Sequence, residues 1–145
     1  MLALSIRQPF AELILRGVKT VEYRSRPTRV IGRRFYLYAS RKTEPVAAEQ
    51  FAERAAKRIW SDDLAVTTRT GGRGGRGRHP PAWMLELAED LILGKLPTGV
   101  IVGTAVIERV SQVGNLYCWH LTDVDRAKTL RKPKGHPQPV WFKPF

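Results

Sequence analysis

The sequence predicts an α+β fold built on a mostly antiparallel, curved sheet. Three observations carry this. Residues 33–40 alternate, with Phe35, Leu37 and Ala39 on one side and Arg34, Tyr36 and Tyr38 on the other, which is the period of a strand. Residues 99–110 are almost continuously apolar, as in a strand buried on both faces. Three stretches with helical spacing interrupt the strands without a regular strand–helix repeat, which argues against a parallel α/β sheet. The 145 residues are the size of one domain, and 43% are hydrophobic, the proportion of a globular chain. The expected organisation is a single domain over residues 1–145.

In chain order, Met1–Ile6 reads as a short strand. Pro9 suits the first turn of a helix, where its missing N–H is no loss, and Phe10, Leu13, Ile14 and Gly17 then share a face. Gly17 has the conformational freedom to end that helix. Ser25–Gly32 is a loop carrying Arg26 and Arg29. Pro45–Trp60 carries an apolar stripe of Ala48, Phe51, Ala52, Ala55, Ala56, Ile59 and Trp60, and reads as the second helix. Residues 67–81 include Gly71–Arg78, in which five of eight residues are Gly, and are expected to form a flexible Arg/Gly-rich loop. Ala82–Leu93 is the third helix, stopped by Gly94 and Pro97. The strand over 99–110 follows, with Gly103 marking a bend or bulge. Tyr117–Val124 and Pro139–Phe142 complete five or six strands.

Charge is the strongest bulk clue to function. The net charge is +12, and it is segregated. Residues 1–40 carry eight basic and two acidic side chains, 69–78 four Arg and no acid, and 126–145 six basic and no acid. Residues 41–68 are balanced, and 79–125 are acidic. If the basic blocks fold together, the natural partner is a polyanion, because each phosphate neutralised releases counterions. A solvated basic surface that aids solubility has the same composition. No apolar run approaches the ~20 residues of a membrane span, and no signal peptide is recognisable. Cys118 is the only cysteine, so no disulfide framework or thiolate metal cluster is expected, and a cytoplasmic location is the default. His79, His120 and His136 lack metal-ligand spacing, and no cofactor motif occurs.

The stretch Gly17-Val18-Lys19-Thr20-Val21-Glu22-Tyr23-Arg24 fits G-x-K-x-x-E-x-R at every fixed position. It resembles the signature of the ASCH domain family, a branch of the PUA-like superfamily. The preceding run Ser5–Phe10 is similar to the family's lead into its first helix. The segment from Trp119 through Pro133-Lys134-Gly135 to Trp141 is similar to its closing strands. The resemblance covers both ends of the chain but not residues 61–81. It implies a small β-barrel (PUA-like) with about three surrounding helices and a cleft that contains the motif.

Function follows from both lines of reasoning. RNA is the expected partner, with DNA the alternative. The expected nucleic-acid contacts are Lys19, Glu22, Tyr23, Arg24 and Arg26 around the motif, Arg73 and Arg76 on the Arg/Gly loop, and Arg131, Lys132 and Lys134 in the C-terminal basic run, which its proline and glycine mark as a loop. Glu22 would pair with one motif cation and leave the other for a ligand. Tyr23, Tyr36 and Tyr38 are stacking candidates, while Trp119 and Trp141 are expected in the core. The alternative is a hydrolase acting on RNA or a modified nucleoside, with Lys19, Glu22 and Arg24 as its catalytic set. Some ASCH-type proteins are amidohydrolases on acetylated cytidine, with the motif lysine as nucleophile or base and a threonine three residues later. That later position is Glu22 here, which favours binding over this chemistry. A third reading is a protein-interaction domain for an acidic partner.

Overall fold

The computed structural model describes residues 1–43 and 82–145. The chain divides into two units, Met1–Thr43 with Pro97–Phe145, and Glu44–Leu96.

The first unit holds β1 (Ala3–Arg7), α1 (Phe10–Leu15), β2 (Val21–Arg24), β3 (Arg34–Ser40), β4 (Val100–Val113), β5 (Leu116–Arg131) and β6 (Trp141–Phe142). They form one six-stranded sheet in the order β2-β5-β4-β3-β1-β6. Four ladders are antiparallel, and β1 pairs with β3 in parallel. The sheet is therefore mixed, and its ladder is open, with β2 and β6 at its ends. This corrects the closed barrel expected above.

The open sheet is nonetheless tightly curled. Three strands lie between β2 and β1, which in a flat sheet would put them about 19 Å apart. Yet Arg24 Nη2 on β2 donates to the Ser5 carbonyl on β1 at 2.9 Å. Trp119 on β5 and Trp141 on β6 are equally distant in the order, and their rings stack at 5.8 Å, 8° from parallel. Phe35 meets Trp141 edge-on at 5.1 Å. Side chains thus bring the two ends of the sheet together where hydrogen-bonded strands do not.

Helix α1 buries Phe10, Ala11, Leu13 and Ile14 and packs against β1, β3 and β5. Pro9 stands at its N-cap and has no side-chain oxygen to cap with. The fully buried Gln8 does this work from one residue further back: its Oε1 accepts the Glu12 N–H at 3.1 Å, and its Nε2 donates to the Pro97 carbonyl at 2.9 Å. The helix ends as its glycine suggests. Gly17 sits at φ +73°, and its N–H reaches the Ile14 carbonyl while the Val18 N–H reaches that of Leu13, both at 3.0 Å. This pair of hydrogen bonds is a Schellman stop.

Strand β3 lies between β4 and β1, so both of its edges are paired. Phe35, Leu37 and Ala39 are buried as expected. Tyr38, expected on the outer face, is also buried, in a second cluster with Ala3, Ile101 and Phe142 against which Tyr36 packs. Alternation showed correctly which residues share a face, but not that the second face is covered.

Strands β4 and β5 form a long hairpin joined by Gly114 and Asn115. The apolar half of β4 is its buried half, and from Glu108 onward the strand is largely exposed. Strand β5 runs on to Arg131, well past the expected end at Val124, so the basic run 126–131 is strand rather than loop. The reason is tertiary: Gly103 and Ile101 of β4 pair with Arg126 and Arg131, overriding the weak local strand signal.

Of the second unit, residues 82–96 are described. Helix α2 (Ala82–Ile92) buries Leu87 and Ala88 completely. It stops at Gly94 with the bond pattern seen at Gly17: Gly94 N–H to Leu91 O and Lys95 N–H to Asp90 O. The expected helix at 45–60 and the Arg/Gly loop at 67–81, with Arg73 and Arg76, lie outside the described residues. No described helix is long and apolar enough to cross a membrane.

Candidate functional site

The motif residues follow directly from the glycine stop of α1. Lys19 N–H bonds to the Leu13 carbonyl at 3.1 Å, which fixes the chain as it turns toward β2. β2 then pairs with β5, setting Val21, Glu22, Tyr23 and Arg24 opposite His120, Trp119, Cys118 and Tyr117.

Lys19 is only 3% exposed. Its Nζ donates to the Val21 carbonyl and lies 3.4 Å from Glu22 Oε2. The Tyr23 ring centroid is 5.3 Å away and that of Phe10 6.0 Å, so two aromatic faces enclose the ammonium. Glu22 turns its other oxygen to Arg24, with Nε to Oε1 at 3.1 Å. Arg24 also donates from Nη2 to Ser5 and lies over Trp119, 5.7 Å from the ring centroid. Glu22 thus pairs with both cations, where the sequence predicts that one is left over. The triad is a largely buried network that fastens β2 to β1 across the gap in the sheet. Tyr23 and Arg24 are half-buried, and Arg26 is exposed, its carbonyl accepting Trp119 Nε1–H at 3.1 Å.

A second buried ion site was missed by sequence reasoning. Glu12 on α1 is 6% exposed and receives both Arg126 nitrogens, Nη1 to Oε2 at 3.0 Å and Nη2 to Oε1 at 2.8 Å. Arg16 adds a third bond at 3.0 Å. Burial pushes the Glu12 carboxyl up, but the bonds from Arg126 and then Arg16 outweigh it and hold it below its ordinary value. The same bond raises Arg126. The i,i+4 spacing of Glu12 and Arg16 was a usable signal; the 114-residue separation from Arg126 left none.

The basic run on β5 surrounds an open groove. β4 and β5 slip register twice here, leaving four β5 residues, 127–130, opposite Val102, and two, 123–124, opposite Ala105. Asp123 absorbs the second bulge at φ +49°, a conformation few side chains adopt. Arg34 braces it: one Nη1 reaches the Asp123 carbonyl at 2.7 Å, Thr104 Oγ1 at 2.8 Å and Asp125 Oδ2 at 3.4 Å. Gly103 lets the strands come this close, since a Cβ there would run into the Asp125 carbonyl of β5, and it would also stand 2.7 Å from a Leu15 methyl of α1. The result is a cavity of about 330 Å³ lined by Tyr36, Thr104, Asp125, Arg126, Lys128 and Arg131, among others. Arg131 stands over the Tyr36 ring, 5.6 Å from its centroid. Lys132 and Lys134 are exposed just beyond it.

A second cavity, about 480 Å³, is lined by Met1, Leu2, Val30, Arg33, Arg34, Lys143 and Phe145. Neither cavity includes a residue of the Lys19–Arg24 motif. The predicted contacts therefore separate: Lys19 just before β2 and Glu22, Tyr23 and Arg24 on it lie beside the first residues of β5, while Arg131 ends β5 and Lys132 and Lys134 follow it. Of the histidines, His120 bonds Ser111 Oγ at 2.8 Å, and burial with the nearby Arg109 charge pushes its imidazole down. His136 is exposed and His79 lies outside the described residues.

A comparison with curated proteins finds no match. A family model described as the ASCH domain matches residues 4–130, a span that runs from β1 almost to the end of β5 and contains the Lys19–Arg24 network, Glu12 and the bulged hairpin. The chain belongs to the ASCH domain family.

Proposed function

We propose that this ASCH domain binds RNA, and that the β5 groove rather than the motif supplies the main contact surface. One observation carries the reading: Arg126, Lys128 and Arg131 line a single open cavity with the Tyr36 ring, and Asp125 is the one carboxylate among its lining residues. Phosphates placed along such a surface are neutralised by several cations at once, and Tyr36 offers an aromatic face beside them. Lys132 and Lys134 extend the positive surface past the end of β5. In this reading Lys19, Glu22 and Arg24 act as positioning residues. They fix the edge of a PUA-like curled sheet, with Arg24 and the exposed Arg26 as its outermost cations.

The enclosure of Lys19 is the reason to prefer binding to hydrolysis. A nucleophilic or basic lysine must reach its substrate, and this one is covered by Phe10, Tyr23, Val21 and Glu22. The test is the affinity for single-stranded RNA as salt is raised. With Lys128, Arg131, Lys132 and Lys134 each neutralising a phosphate, log Kd is expected to rise with log salt with a slope of about 3. Affinity that does not change with salt contradicts the proposal. RNA cleavage, or deacylation of acetylated cytidine, that is lost in Lys19→Ala with the fold intact would instead establish the hydrolase reading.

A further inference from the structure

Phe145 occupies a position that the electrostatic reading leaves unexplained. The backbone beside it is anchored, because the Pro144 carbonyl accepts both the Lys134 N–H at 2.7 Å and the Gly135 N–H at 2.8 Å. The Phe145 side chain is nonetheless half exposed. Its ring centroid lies 4.3 Å from the Arg131 guanidinium carbon, and the Tyr36 ring meets it edge-on at 5.7 Å. Arg131 Nη2 is also within 3.4 Å of the Tyr36 hydroxyl. One guanidinium therefore packs against two aromatic rings that also meet each other, and the Phe145 ring still presents surface to solvent.

The location of this cluster gives it meaning. Phe145 lines the larger cavity together with Arg33, Arg34 and Lys143. Tyr36 and Arg131 line the smaller one with Arg126 and Lys128. The aromatic–guanidinium cluster thus puts a lining residue of one cavity in contact with two of the other, and each cavity has its own cations. Resting on the RNA reading above, we propose that Phe145 is a nucleobase-stacking platform that joins the two cavities into one track for single-stranded RNA. The strand's phosphates run along the cations of both cavities, and one base lies on the exposed part of the Phe145 ring. Arg131 backs the ring from another side, which fixes its orientation and adds cation–π attraction. Stacking of this kind needs an open base face, so the track selects unpaired strands over duplexes.

The experiment uses the full chain and a labelled oligouridine of about ten nucleotides, long enough for a site of this size. Phe145→Ala is expected to weaken binding roughly 5- to 150-fold at fixed salt, the span of one lost base stack. Because no charge is removed, the slope of log Kd against log salt is expected to stay at the wild-type value. Phe145→Trp is expected to restore affinity, with its emission quenched on RNA addition. A duplex of the same length is expected to bind more weakly than the single strand. If the wild type binds with the expected salt slope but Phe145→Ala binds as tightly, the platform is refuted while the RNA reading stands. Equal loss in Phe145→Ala and Phe145→Trp, or a loss matched by a fall in thermal midpoint, assigns Phe145 a merely structural role and also refutes it. A wild type that binds no RNA overturns both.

Discussion

Replacing Lys19 by methionine separates the two roles open to the motif. Methionine keeps most of the stem that packs between Phe10 and Tyr23 and removes only the ammonium. Breaking a buried ion pair outright costs about 3–5 kcal/mol, because the partner charge is left alone. Here Glu22 is not left alone, since Arg24 still holds its other oxygen at 3.1 Å. The Val21 carbonyl loses its side-chain donor, a loss of about 1–3 kcal/mol where the group stays buried. The expected destabilisation is therefore about 2–3 kcal/mol, below the full penalty of a broken pair. For a chain of this size that corresponds to a fall of roughly 5–10 °C in thermal midpoint. Urea denaturation and thermal unfolding measure it. RNA affinity, measured well below the midpoint, is expected to match the wild type, because the ammonium is enclosed by Phe10, Tyr23, Val21 and Glu22. A Lys19→Met protein that keeps its midpoint and loses RNA affinity refutes the assignment of Lys19 as a positioning residue.

Three further outcomes are expected. The Glu12 carboxyl is held below its ordinary value of 4.5 in the folded chain, so on acidification the unfolded chain takes up this proton first; the stabilisation is complete above about pH 4.5 and is lost as pH falls through the folded value. Glu12→Gln is expected to lower stability at neutral pH by about 1–3 kcal/mol and to flatten that acid-side loss, as followed by urea midpoints against pH. Gly103→Ala forces a methyl to within 2.7 Å of Leu15 and against the Asp125 backbone, and is expected to cost about 1–3 kcal/mol in urea denaturation. Arg126→Lys keeps the charge in the groove but not the two-point fork on Glu12, so it is expected to lower the thermal midpoint while leaving the salt slope of RNA binding unchanged.

What could be read in advance depended on the range of the forces involved. Both glycine stops were legible, because a helix C-terminus is a local event and Gly17 and Gly94 complete it within a few residues. The alternation of β3 was legible as well, since a strand's period is set by its own backbone. That Tyr38 is buried was not, because what covers it comes from Ala3, Ile101 and Phe142, each distant in sequence. The end of β5 was misplaced for the same reason: prolines, glycines and charges after Val124 argue for a loop, and the pairing with Ile101 and Gly103 overrules them. At the site, the motif's spacing announced that Glu22 pairs with a neighbouring cation, all three residues lying within six positions, but not that it holds Lys19 and Arg24 at once. Their burial depended on Phe10 and Trp119, and the groove depended on register slips between β4 and β5 that no single strand encodes.

If the chain binds RNA as proposed, the position of the charges that neutralise it decides between the β5 groove and the motif. The most direct measurement is the salt dependence of single-stranded RNA affinity for the wild type and for Lys128→Ala with Arg131→Ala, both side chains being exposed. Each phosphate that is no longer neutralised is expected to reduce the slope of log Kd against log salt by about 0.7, so the double variant should fall from about 3 to about 1.6, while its stability falls only by the ~0.5–1 kcal/mol of an exposed cation–π contact. A double variant that binds with the wild-type slope places the RNA-binding cations elsewhere and contradicts the assignment of the β5 groove.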